Sequence, residues 1–260
     1  MGRFLIIPDR ENIEESLGLC LEYGLSFELN DFMRPEVLDD EEKCREIVEK
    51  YKSFNAPVYT SHGDFYDVLI FSIDPKIAAI SLERIVQSME TAKLAGAKGV
   101  IFHSNIEPFL TADVYRGNWL KKNEEVFRDI CAKYPEINVY LENMFDTRPD
   151  DLANLAEVMR DVPNFGICFD YAHAFLTRTV TTPLSYWAEV LSPYIKHVHI
   201  NDNDGREDLH LAVGAGVIDW TEFGQLREMY FPEASVLIET TPIEYQKKSL
   251  KYLRKIGLIK

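Results

Sequence analysis

Six histidines and a group of carboxylates share seven short segments of this chain, TSHGD, IFHSN, YLEN, CFDYAH, HVHIND, EDLHL and LIET. Each segment lies where a run of strand pattern gives way to a loop, or in the loop itself. Together they carry His62, His103, Glu142, Asp170, His173, His197, His199, Asp208, His210 and Glu239. Imidazole nitrogen and carboxylate oxygen are the donors that bind zinc, manganese or cobalt. A glutamate that ends a buried strand also needs a partner, because an unpaired buried charge is strongly unfavourable. The expectation is a divalent-metal centre.

The elements that must position these donors alternate from end to end. Strand patterns are FLIIP, LSFEL, APVYTSH, KGVIFHS, INVYLEN, FGICFD, IKHVHIN and SVLIET. Helical periodicity fills the gaps, over residues 11–23, 40–54, 75–95, 118–134, 150–160, 183–191, 221–230 and 245–256. Gly24, Gly96 and Gly257 follow such stretches, as glycines that close helices do, and Pro75, Pro149 and Pro183 sit near helix starts. Eight βα units imply parallel strands with right-handed crossovers. The fold class expected is α/β, a single (β/α)8 TIM barrel over residues 1–260. Barrel chemistry lies at the C-terminal strand ends. His62, His103, Glu142, Asp170, His199 and Glu239 would end strands three to eight. His173, Asp208 and His210 would follow on loops that fold over them. Alternation puts His197, His199 and Asn201 on one face, the lumen.

Length and composition agree with one large domain: 260 residues, 46% of them hydrophobic. No apolar run approaches bilayer length, and MGRFLIIPDR reads as a first strand and not a signal peptide. Cys20, Cys44, Cys131 and Cys168 are widely spaced, which fits free thiols and a cytoplasmic protein. A net charge of −15 argues against broad adhesion to nucleic acid.

These residues resemble the xylose-isomerase-like barrels, which include endonuclease IV and many sugar isomerases and epimerases. The segment HVHINDNDGREDLHLAVGAGVIDW is similar to the family pattern HxHxxDxxGxxDxHxxxGxGxxDW. FDYAH matches D-x-x-H, and LEN and LIET match the two family glutamates. By that resemblance, His62, His103 and Glu142 hold one metal. Glu142 bridges to a second held by Asp170, His199 and Glu239, and His173, Asp208 and His210 hold a third. Single-metal isomerases and epimerases use only the middle set. The resemblance thus implies one to three ions, Zn2+ or Mn2+. His197 would lie one layer deeper, bracing a ligand or touching substrate.

Departures from the pattern bear on substrate. The segment NDFMRPEVLDDEEKC, after strand two, carries Asp31, Glu36, Asp39, Asp40, Glu41 and Glu42 against Arg34 and Lys43, and an acidic loop repels a phosphate backbone. GDFYDVLIFSIDP, after His62, is closer to the apolar cap of sugar-handling relatives. Ala215 stands between Gly214 and Gly216, where the family often has glutamate. Arg116, Arg148, Arg178 and Arg206 lie in loops and could bind a phosphate or carboxylate; surface salt bridges are the plainer role for most. Phe65, Tyr66, Tyr171 and Trp220 could wall a sugar pocket, or simply pack. Asn143 could orient Glu142 or contact substrate, and Asn201 and Asp202 could cap their loop.

Two activities follow. One is a divalent-metal-dependent isomerase or epimerase acting on a sugar or sugar phosphate through an enediolate, with Glu142 and Glu239 exchanging the proton. His197, Asn143, Arg206 and Trp220 are its candidate substrate contacts. The other is a multi-zinc phosphoesterase resembling endonuclease IV, which the nine-donor set favours and which would make abasic-site DNA a partner. A metal-stabilised binding barrel without turnover ranks third. No membrane partner is expected, and an oligomer is compatible with all three.

Overall fold

Along each strand the side chains alternate between two apolar destinations, and this alternation builds the molecule. In the computed structural model, which describes residues 2–65 and 67–260, the order is β1 (Phe4–Ile6), α1 (Ile13–Tyr23), β2 (Ser26–Leu29), α2 (Pro35–Leu38), α3 (Glu41–Ser53), β3 (Val58–His62), α4 (Pro75–Ala95), β4 (Gly99–His103) and α5 (Asp113–Lys133). It continues with β5 (Asn138–Glu142), α6 (Asp150–Val158), β6 (Phe165–Asp170), α7 (Tyr171–Thr177), α8 (Leu184–Leu191), β7 (Ile195–Ile200), α9 (Trp220–Tyr230), β8 (Ser235–Ile238) and α10 (Ile243–Lys255). The eight strands close into a barrel in sequence order, with β1 paired to β8 and every ladder parallel. All eight strand patterns read from the sequence form strands, and the chain is a single (β/α)8 TIM barrel.

The helices follow from amphipathic spacing and caps. In α3, Cys44, Val48 and Tyr51 are buried on one face, and the Asp40 side chain accepts from the Lys43 amide at its start. Asp40 belongs to the acidic run, so that part of the run starts a helix, where acids complement the dipole. Gly24 and Gly96 end α1 and α4 in the left-handed conformation, which glycine adopts without a Cβ penalty.

Three local differences from the sequence pattern have physical reasons. Helix α5 starts at Asp113 rather than 118, because the exposed Gly117 weakens the pattern of its first turns. Helix α2 is a four-residue turn opened by Pro35 at its first position. Helix α7 lies within what reads as loop; Asp170 caps it by accepting from the His173 amide at 2.6 Å, so His173 sits on a helix and not on a loop.

The main core fills the layer between barrel and helices, with Phe102, Phe127, Phe169 and Trp187 among its largest members. A separate small cluster of Ile101, Tyr140 and Cys168 occupies the lumen. Gly99 makes room for it, since a Cβ there would stand 2.5 Å from the Tyr140 ring. Two strand positions above Ile101, Tyr140 and Cys168 come His103, Glu142 and Asp170, so the lumen changes from apolar to ligand-bearing within one pleat. The four cysteines are free and buried. Among the described residues no helix is long and apolar enough to cross a membrane.

Candidate metal centre

Glu142 lies at the middle of the strand-end donors. Its Oε2 is 3.5 Å from His62 Nε2 and 3.7 Å from His103 Nε2. Its Oε1 is 3.3 Å from His199 Nδ1 and 3.7 Å from His173 Nδ1. Glu239 Oε2 comes within 3.4 Å of the same His199 Nδ1. Asp208 Oδ2 lies between His173 Nε2 at 3.3 Å and His210 Nε2 at 3.1 Å. The nine donors thus gather as His62/His103/Glu142, Glu142/Asp170/His199/Glu239 and His173/Asp208/His210, with the donor atoms of each group within 4.8 Å of one another.

Two observations test whether these groups suit metal ions. First, Glu142 Oε2, Asp170 Oδ2, His199 Nδ1, Asp208 Oδ1 and Glu239 Oε2 are buried without hydrogen-bond partners, a costly arrangement unless something positive shares the space. Second, three of the five donor imidazoles are anchored by the nitrogen that faces away from their group. His62 Nδ1 rests on the Gly63 carbonyl at 2.9 Å, and His210 Nδ1 on the Glu239 carbonyl at 3.1 Å. His173 Nδ1 rests on the Asn143 carbonyl at 3.0 Å, leaving Nε2 for Asp208. This is how metal-binding histidines have their tautomer fixed. The donor set fits divalent cations.

Without an ion, the same groups pair with each other. Burial would raise the Glu142 carboxyl, but the neighbouring imidazoles of His199 and His62 hold it well below the carboxylate range. Burial alone would lower His173, His199 and His210; nearby carboxylates outweigh it, and His210 reaches about 10. His103 goes the other way, with burial taking it down to about 3.

The groups open into a cavity of about 650 Å³ whose wall includes Arg10, Asn30, Asp31, Phe65, Phe145 and Gln246. Arg10 has no motif to mark it in the sequence, and Asp31 reads there only as one acid of the segment after strand two. Arg10 Nε pairs with the buried Asp31 at 2.7 Å, and Tyr51 donates to the same carboxylate at 2.9 Å. Arg10 is the only arginine or lysine in the described cavity wall. Glu28, also unflagged, lies fully buried beneath His199.

The other expected substrate contacts stand elsewhere. Trp220 is 1% exposed, and its indole donates to Asp202 at 2.9 Å. Asp202 also accepts from the Gly214 and Ile218 amides at 2.9 and 3.2 Å. A Cβ at Gly216 would stand 2.3 Å from Asp202 Oδ1, so the second half of the long motif is a buried hub that shapes the β7 loop, more than a loop cap. Tyr171 packs edge-on against Phe223 in the core. Asn143 is a clasp between strands, exchanging hydrogen bonds of 2.8 and 2.9 Å with the Asp170 main chain. His197 lies below the donors, 2.9 Å from Glu28 and 2.7 Å from Ser235. Arg206 is exposed and outside the cavity wall. Arg116 and Arg148 pair with Asp151, and Arg178 donates to the Phe175 carbonyl. Of the apolar segment after His62, Phe65 reaches the cavity, while Val68, Ile70 and Phe71 are buried in the scaffold; Tyr66 lies outside the described residues.

A closed eight-stranded barrel with metal-type donors at the ends of five strands, and Glu239 just past the end of a sixth, defines a class of protein. Within that class, the chain belongs to the xylose isomerase-like TIM barrel family, whose model matches residues 19–256. Two uncharacterized proteins of Methanocaldococcus jannaschii are similar to it. MJ1311 is 28% identical over 206 residues, covering 74% of this chain and 68% of its own length. MJ1614 is 27% identical over 170 residues, covering 64% of each; the chain spans about two thirds of both relatives. Among solved structures, the TTHB071 protein of Thermus thermophilus, soaked with zinc chloride, superposes with a TM-score of 0.77 at 24% identity, over 99% of this chain and 98% of that one. A D-tagatose 3-epimerase-like protein gives 0.74 at 23%, over 97% and 96%. Endonuclease IV from Thermus thermophilus gives 0.62 at 16%, over 98% and 97%. At these identities the structural likeness speaks for the fold alone.

Proposed function

We propose that the protein is a divalent-metal-dependent isomerase or epimerase of a sugar or sugar phosphate. The observation that carries this reading is the pair Glu142 and Glu239, which reach the same His199 nitrogen at 3.3 and 3.4 Å and both line the cavity. A divalent ion, Zn2+ or Mn2+, held by Glu142, Asp170, His199 and Glu239 would supply a Lewis acid that acidifies the C–H beside a carbonyl. Glu142 and Glu239 then act as the acid–base pair, one taking the proton from carbon and the other returning it. Phe65 and Phe145 give the cavity apolar surface of the kind that packs on the C–H face of a sugar ring. A phosphate or carboxylate on the substrate would find its only guanidinium partner in Arg10. A small soluble substrate, no membrane partner and a cytoplasmic setting belong to the same reading.

Metal-loaded protein incubated in deuterated water with a panel of ketoses and ketose phosphates should place solvent deuterium in the substrate. Absence of exchange across the panel contradicts the proposal.

The third donor group favours a second reading, a multi-zinc phosphoesterase, because a single-metal isomerase has no need of His173, Asp208 and His210 near the same mouth. Cleavage of an abasic-site oligonucleotide by zinc-loaded protein, with no deuterium exchange, would move the assignment there.

A further inference from the structure

In β2, Ser26 and Glu28 share the lumen side while Phe27 and Leu29 join the main core. A carboxylate is thereby placed at the centre of the barrel, 0% exposed and one layer below the donor groups. Such a charge is tolerated only with partners, and Glu28 has three. Its Oε2 accepts from Thr60 Oγ1 at 2.6 Å and from His197 Nε2 at 2.9 Å. Its Oε1 lies 3.1 Å from His199 Nε2. His197 is itself held by Ser235 Oγ at 2.7 Å on its other nitrogen. Strands β3, β7 and β8 thus fix the carboxylate in place.

His199 differs from the other anchored histidines in what holds it. His62, His173 and His210 rest on main-chain carbonyls, whereas His199 has a carboxylate oxygen of Glu28 3.1 Å from its Nε2, at ion-pair distance but not aligned as a hydrogen bond. Both of its nitrogens face carboxylates at ion-pair distance, Nε2 that of Glu28 and Nδ1 those of Glu142 and Glu239, without an aligned hydrogen bond. An imidazole whose N–H points at a carboxylate has its tautomer and ring plane fixed and becomes a stronger electron donor at the other nitrogen. Cys168 also stands within reach of His197 and His199. Those three do not make a further ion site, because both nitrogens of His197 are already hydrogen-bonded, to Ser235 and to Glu28.

We propose that Glu28 is a positioning residue for the middle donor group, fixing His199 so that Nδ1 is the ligand atom and making that group the tightest of the three. The inference rests on the reading that Glu142, Asp170, His199 and Glu239 hold a divalent ion, and it adds to that reading a residue outside the donor set.

Cobalt titration of the metal-free protein, followed by visible d–d absorption, tests both levels separately. Wild-type protein that binds no cobalt refutes the metal reading and the inference with it. If the wild type binds, Glu28→Gln keeps the side-chain size, removes the charge, and should weaken one class of site by about 10–100-fold while shifting its spectrum. The sites built on His62/His103 and His173/His210 should keep wild-type affinity. A merely structural Glu28 would lower the melting temperature of the metal-free protein and leave affinity and spectrum of the folded protein unchanged, which overturns the inference. If Glu28→Gln does not fold, Thr60→Val carries the test, since it keeps the carboxylate and removes the 2.6 Å hydrogen bond that steadies it. A several-fold loss confined to the same site is expected, and unchanged affinity refutes the role.

Discussion

Replacing Glu142 should cost the protein more bound metal than replacing Asp208, although each substitution removes one carboxylate. Glu142 belongs to two donor groups, His62/His103/Glu142 and Glu142/Asp170/His199/Glu239, while Asp208 belongs to one. An ion in hundredfold excess over its Kd stabilises the folded state by about 2.7 kcal/mol. Three filled groups would then contribute about 8 kcal/mol, which for a chain of this length is a rise of about 15–25 °C in melting temperature. Asp208→Asn should leave two groups and a rise of about 10–15 °C; Glu142→Gln should leave one and a rise of about 5–8 °C. Calorimetric melts of metal-free and zinc-loaded samples, with metal counted after gel filtration, measure both quantities. If Glu142→Gln and Asp208→Asn lose the same amount of zinc and the same share of the thermal shift, Glu142 does not bridge two ions.

Two further outcomes follow from protonation. In the metal-free protein neighbouring groups, carboxylates and for His199 also Cys168, outweigh burial and raise His62, His173, His199 and His210 above the ordinary imidazole value, His173 and His199 well above it and His210 to about 10, so these last three hold protons that ligation must expel. Zinc affinity should therefore rise with pH between about 6 and 9, and calorimetric titrations in buffers of different ionisation heat should show more than one proton released per chain; zero release contradicts the paired arrangement. Burial pushes Asp146 from 3.8 up to about 6, against hydrogen bonds from Ser104 and the Met144 amide. A raised folded value means that its stabilising share is complete below about pH 4 and is lost as pH rises through 6, at a cost of at most about 3 kcal/mol. Asp146→Asn should flatten that decline in urea melts at pH 4.5 and 7.5, whereas equal slopes in variant and wild type would refute it.

The fold was legible because each barrel strand carries its own apolar run and each helix its own periodicity, both of which are local. His62, His103, Glu142, Asp170 and His199 could be located because strand ends are fixed by the same patterns. What surrounds the donors was less legible. Glu28 sits inside LSFEL, where one acid among apolar residues has no local signature, and its partners Thr60, His197 and His199 are 32 or more positions away. Arg10 gains meaning only from Asp31 and Tyr51, which meet it through the fold. Trp220 and Asn143 were read toward substrate because motif position says nothing of which way a ring or amide faces; burial turned one to Asp202 and the other to the Asp170 backbone.

Anomalous diffraction at the zinc edge, from crystals of zinc-loaded protein grown near neutral pH, is the most direct measurement of the central claim. A peak enclosed by Glu142, Asp170, His199 and Glu239 is the predicted result. A folded barrel with no anomalous density among these four side chains would contradict it.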